Sequence, residues 1–225
     1  MGYKNYSDWF GVEGFSANFS FNEKDYSILS HRRDFASLLD YDQNALVIPK
    51  QVHSKNVYYV DSPGLLEETD GVFSDKKEIV LTIQVADCIP LFLMDVKTER
   101  WGLIHSGWQG TAKNIAGEAI DQFQKSRSNP GYIKAVLGPS IGQCCFEVGR
   151  EVSDQFDIAF SIPGKGNRKM VDLRGVLKSQ LTEVGVSQAN ILIDDDCTFC
   201  QDDLYFSYRR EGDKAGRMVA IAGWR

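Results

Sequence analysis

The chain has 225 residues, 43% of them hydrophobic and 25% charged, with a formal net charge of −6. That composition excludes disordered, collagen-like and coiled-coil classes, and no apolar run approaches the roughly 18 residues of a membrane span. A negative chain is also a poor nucleic-acid scaffold, although a local basic pocket still suits a small anion.

The opening MGYKNYSDWF carries neither the apolar core of a signal peptide nor the small hydroxyl residue of a myristoylation start. Five cysteines, an odd number, do not read as a disulfide framework, so a reducing cytoplasm is expected. The length predicts a single domain over 1–225.

The first clear strand signal is 79–85 (IVLTIQV), with Ile79, Leu81, Ile83 and Val85 on one face and Thr82 and Gln84 on the other. Short apolar runs at 89–94 (IPLFLM) and 101–105 (WGLIH) predict buried strands, and the polar DVKTER between them predicts a hairpin. A helix is expected over 111–124, where Ile115, Ala116, Ala119, Ile120 and Phe123 recur by threes and fours and Thr111 would cap the start. Strand 132–138 follows, then a helix over 151–160 built on Val152, Phe156, Ala159 and Phe160. The Gly- and Pro-rich segment 162–169 predicts a mobile loop. A third helix carries Leu173, Val176, Leu177, Leu181 and Val184, ended by Gly185, and strands 191–193 and 218–224 close the chain. Strands and helices without strict alternation predict an α/β (α+β) sandwich with a mixed sheet and flanking helices.

Only three histidines occur, His31, His53 and His105. His53 lies just ahead of a strand, Asp87 and Cys88 interrupt two apolar strands, and His105 ends a strand before a Gly-rich turn. A polar pair between buried strands is costly without partners. Two imidazoles and a thiolate suit zinc, and three protein ligands leave a fourth position open. Two other readings of the same residues stand beside it. One is a Cys88–histidine nucleophile pair; the other is a core cysteine with two hydrogen-bonded histidines.

The C-x-x-C of Cys197 and Cys200 has no second pair downstream and is expected to be structural. Cys144 and Cys145, taken as neighbours in a strand, would point to opposite faces and not share a metal. Arg209, Arg210, Lys214 and Arg217 surround a Gly-containing turn that predicts an anion cradle, and Phe73 and Trp108 are candidates to stack on a flat ligand.

The motifs QVH (51–53), DGVFS (70–74), ADC (86–88), HSGWQGT (105–111), LGPSIG (137–142), FEVG (146–149), CT (197–198) and FSYRR (206–210) occur in this order. Together they resemble the YfiH family, also called the multicopper polyphenol oxidase (laccase) family, from about residue 45 to the C-terminus. The resemblance implies a compact sandwich related to toxin-type cysteine–histidine hydrolases. It also implies a metal, usually zinc, on His53, Cys88 and His105. The implied activities are phosphorolysis of adenosine, inosine and methylthioadenosine, and adenosine deamination. Purine nucleoside and phosphate are then the expected partners, without nucleic acid or membrane, for a monomer or a homodimer.

Two departures from the family pattern touch phosphate binding. Gln109 stands where Arg or Lys is usual in the turn after His105, and GFSANFSFNEKDYS lacks the usual Thr-Arg and Gly-Gly. Phosphate is therefore expected to lean on Arg209, Arg210 or the start of helix 111–124, with Gln109 as a further substrate contact. Catalysis is expected from Cys88, His105 and, by adjacency, Asp87 as acid or base. Three histidines cannot build a multicopper centre, although a single Cu²⁺ remains an alternative to Zn²⁺. A copper-dependent phenol oxidase, a hydrolase editing cell-wall precursors and a non-enzymatic metal-binding module are the alternative functions.

Overall fold

In the computed structural model, which describes residues 2–225, two six-stranded mixed sheets pack face to face. The first runs in the order Tyr3–Asn5, Phe15–Ser20, Met218–Trp224, Val80–Val85, Leu46–Pro49, Gly64–Leu66. Its first four strands pair antiparallel, and the last two join in parallel. The second runs Ile191–Ile193, Ile133–Leu137, Ile89–Asp95, Arg100–Ser106, Gly71–Ser74, Val57–Tyr59, with parallel pairs at its two edges. Glu147–Val148, Lys169–Val171 and Ser161–Pro163 make a small antiparallel sheet.

Side-chain alternation along the strands sorts the core into layers. Leu81, Ile83 and Val85 of the first sheet meet Phe92, Met94, Trp101 and Leu103 of the second between the two sheets. The opposite parity of the same strands faces outward. Leu91, Leu93 and Ile104 pack beneath Ile115, Ile120, Phe123 and Leu177 of the helices Ile115–Lys125 and Leu173–Glu183. Val80, Val219 and Ile221 pack against Phe35 and Ala36 of the helix Leu29–Leu38. The result is a helix–sheet–sheet–helix sandwich. Each fully buried Leu or Phe contributes about 1.5–3 kcal/mol, which is why every strand with two apolar faces ends up in the middle.

The expected hairpin is present, with Ile89 opposite Ser106 and Pro90 opposite His105. The helix expected over 111–124 is instead two pieces, Trp108–Ala112 and Ile115–Lys125. Asn114, not Thr111, caps the second: it sits at φ 59° and its side chain accepts from the Gly117 amide. Asn tolerates that left-handed backbone better than most residues. Thr111 turns inward and donates its hydroxyl to the Gly107 carbonyl.

The helix expected over 151–160 shrinks to Arg150–Ser153 and a 3₁₀ turn at Ile158–Phe160. Asp157 accepts from the Ala159 amide, a local bond that competes with helix continuation. Segment 162–169 is the tip of a hairpin, with Ser161–Pro163 paired to Lys169–Val171.

Candidate metal centre and its cavity

Cys88 sits where the chain crosses from the 80–85 strand of one sheet to the 89–95 strand of the other. His105 lies opposite Pro90, so the strand pairing alone brings it near Cys88. His53 comes from a separate loop, at φ 58°. Ligand atoms of His53, Cys88 and His105 lie within 4.8 Å of one another. Cys88 Sγ is 3.9 Å from His53 Nε2, and the two imidazole rings meet edge to face at 4.9 Å.

Asp70 holds both histidines. Its carboxylate accepts backbone N–H bonds from Val52, His53 and Ser54, which pin the loop in which His53 takes its unusual backbone. It also accepts from the Ser54 hydroxyl, and Oδ1 lies 2.9 Å from His105 Nδ1. A carboxylate on Nδ1 fixes the tautomer and leaves Nε2 of His105 free to face Cys88. Gly107 completes the cradle: a Cβ there would lie 2.9 Å from both Cys88 Sγ and His53 Cδ2.

The electrostatics follow from this packing. Burial alone would raise the Cys88 pKa, but the charges and hydrogen bonds of His105 and His53 outweigh it and lower it to about 6. Burial works against a charged His105, yet the Cys88 thiolate and Asp70 raise it to about 9. In the metal-free protein the thiolate form of Cys88 and the charged form of His105 therefore stabilise each other. Burial likewise disfavours the Asp70 carboxylate, and hydrogen bonds from His105 and Ser54 overcome this to hold it at about 2.

These donors open into a cavity of about 750 Å³, within the range of small-molecule sites. Asp87, Gln109 and Arg209 line it, as do Trp108, Phe146 and Arg217. Both Asp87 oxygens are already engaged, Oδ1 by the Thr198 hydroxyl at 2.6 Å and Oδ2 by the Arg209 amide at 2.9 Å. Arg209 reaches the Glu147 carbonyl with Nη1 and lies over the Phe146 ring.

Arg210 is not brought to the cavity. Its guanidinium donates to the carbonyls of Thr198, Phe199 and Tyr205 and pairs with Glu211. The basic segment is thus a short helix, Tyr208–Glu211, with Arg209 and Arg217 on the cavity side. Phe73 is in the core against Phe123, whereas Trp108 is at the cavity.

Two features escaped the sequence reading. Asp70 stands in the DGVFS motif, but its role needs residues up to 35 positions away. The only local signal is an acidic residue directly ahead of an apolar strand. Cys144 and Cys145 correct one expectation. Residues 143–145 form a turn, not a strand, and the sulfurs of Cys144, Cys145, Cys197 and Cys200 lie within 4.8 Å of one another.

Comparison with known proteins adds to this geometry. A family model described as multi-copper polyphenol oxidoreductase laccase matches residues 10–225. The chain is 32% identical to adenosine deaminase RL5 from an unknown prokaryotic organism, over 92% of this chain and 87% of that protein. It is 29% identical to purine nucleoside phosphorylase YlmD of Bacillus subtilis (strain 168), over 95% and 83% of the two chains. The crystal structure of YlmD from Geobacillus stearothermophilus superposes with a TM-score of 0.89 at 25% identity, covering 95% of this chain and 93% of that one.

Proposed function

Because the chain belongs to the family described as multi-copper polyphenol oxidoreductase laccase, we propose that it is a zinc-dependent purine nucleoside phosphorylase whose site also deaminates adenosine. The reading is supported by the names of the two relatives, one a phosphorylase and one a deaminase. The observation that carries it is the convergence of His53, Cys88 and His105 in the lining of a cavity of about 750 Å³.

The donor set fits a zinc ion. Two imidazoles and a lowered thiol are its preferred ligand types, and Asp70 already holds His105 in the ligating tautomer. When bound, zinc supplies positive charge that stabilises an oxygen anion or lowers the pKa of water. The chain's own groups do the rest. Arg209 and Arg217 attract phosphate, Gln109 contributes a neutral contact in place of a cation, and Trp108 offers a ring face to the purine.

In phosphorolysis an oxygen of hydrogen phosphate bonds to C1′ of the ribose, the C1′–N bond breaks, and the leaving base takes the proton that the hydrogen phosphate carried in. Charge on the developing sugar cation is met by the bound phosphate, which Arg209 and Arg217 position. Asp87, accepting from the Thr198 hydroxyl and the Arg209 amide, orients the Arg209 backbone at the cavity wall.

The test is incubation of zinc-loaded protein with adenosine or inosine, with and without phosphate. Phosphate-dependent release of free base is the expected result, together with phosphate-independent formation of inosine from adenosine. A fully metal-loaded protein that transforms neither nucleoside overturns the proposal. The thiolate–imidazolium pair of Cys88 and His105 favours one other reading, a hydrolase with Cys88 as nucleophile. Activity that survives chelation but not alkylation of Cys88 would select it.

A further inference from the structure

We propose that Cys144, Cys145, Cys197 and Cys200 form a second metal site, a four-thiolate centre for a zinc-type divalent cation that ties a loop walling the cavity to the turn 198–200. The four sulfurs come from two segments far apart in the chain, the turn 143–145 and the turn 198–200, and lie within 4.8 Å of one another. Around a tetrahedral zinc with Zn–S near 2.3 Å, neighbouring sulfurs are roughly 3.8 Å apart. Cys144 and Cys200 are 3.8 Å apart and Cys145 and Cys200 3.3 Å, so small side-chain shifts suffice.

The local backbone favours a thiolate at Cys197. The amide of Gly142 points at Cys197 Sγ from 3.2 Å. An N–H donor aimed at a sulfur favours its ionised form. The sulfurs of Cys144 and Cys145 find their partners in the other cysteines. Cys144 and Cys200 are exposed, which gives an ion a route in, while Cys197 is buried at the centre. A Cys145–Cys200 disulfide would use two of the four thiols and leave the convergence of the others unexplained. Binding of the cation replaces four S–H protons, which pass to solvent.

The position explains what such a site would do. Ile141 and Phe146, on either side of the cysteine turn, line the cavity. Thr198, next to Cys197, donates to Asp87, and the Cys145 carbonyl accepts from Arg209. Clamping the sulfurs therefore holds the wall on which Asp87 and Arg209 are arranged. The proposal does not rest on the reading of the His53–Cys88–His105 site.

The experiment titrates reduced, metal-free full-length protein with Co²⁺ alone in a Cys88→Ser, His53→Ala background, where the first site is disabled. The expected result is one bound Co²⁺ per chain, with the intense sulfur-to-cobalt charge-transfer absorption of a tetrahedral four-sulfur site. Cys200→Ser in this background should weaken binding by more than about tenfold. Cys144→Ser, at an exposed position, should do the same and serves as the second variant if the first misfolds. No cobalt uptake, uptake without charge-transfer absorption, or uptake indifferent to both serine substitutions overturns the proposal.

Discussion

At the scale of single residues, the site depends most on one buried carboxylate that bonds both histidine-bearing segments. Asp70→Asn keeps the shape but cannot accept as strongly from His105 and the 52–54 amides. Metal affinity is expected to fall about 10- to 100-fold, read by competition with a chelator. Asp70 also couples stability to pH in the metal-free protein. Its folded pKa, about 2, lies below its ordinary value of 3.8, so its contribution is fully present above pH 3.8 and is lost as pH falls through 2. The magnitude is about 2 kcal/mol, measurable as a smaller loss of stability between pH 5 and pH 2 in Asp70→Asn than in the parent. Gly107 gives a sharper steric test. A methyl group there would press on Cys88 and His53, so Gly107→Ala should lower metal affinity while leaving the far-ultraviolet circular dichroism unchanged.

At the scale of elements, local backbone chemistry overrode periodicity where it conflicted with it. The apolar stripe of Ile115, Ala116, Ala119, Ile120 and Phe123 was legible because a 3.6-residue repeat must bury one face. The start of that helix was not legible, because the cap is Asn114 in a left-handed conformation rather than Thr111. Asn114→Ala removes the cap and strains φ, and should cost about 1–2 kcal/mol in denaturant unfolding. Asn114→Gly should cost less, since glycine accepts the backbone freely. The failure of 151–160 has the same origin, an aspartate whose side chain satisfies nearby amides better than a helix would. The strands fared better: 89–95 carries apolar residues on both faces and meets a core on each, while 80–85 turns Leu81, Ile83 and Val85 to the core between the sheets and Thr82 and Gln84 to its other face.

At the scale of the whole molecule, two sheets and two helical layers place the site at the seam where the chain changes sheet. Buried Phe92 packs within the core between the sheets, and Phe92→Ala should destabilise by about 3–5 kcal/mol, read by thermal or denaturant unfolding. The fold class and the main strands and helices were determined by the sequence itself, which also singled out His53, Cys88 and His105 as candidates. Apolar spacing dictates which faces must be buried, whereas the three candidate ligands follow no short spacing and stood out as a set through the ordered motifs that resemble the family. Tertiary structure alone decided that Asp70 joins the two histidine segments, that Arg209 rather than Arg210 reaches the cavity, and that four cysteines from two distant turns converge. Those outcomes depend on distances between segments far apart in the chain, which local spacing does not encode and only the packing of the layers sets.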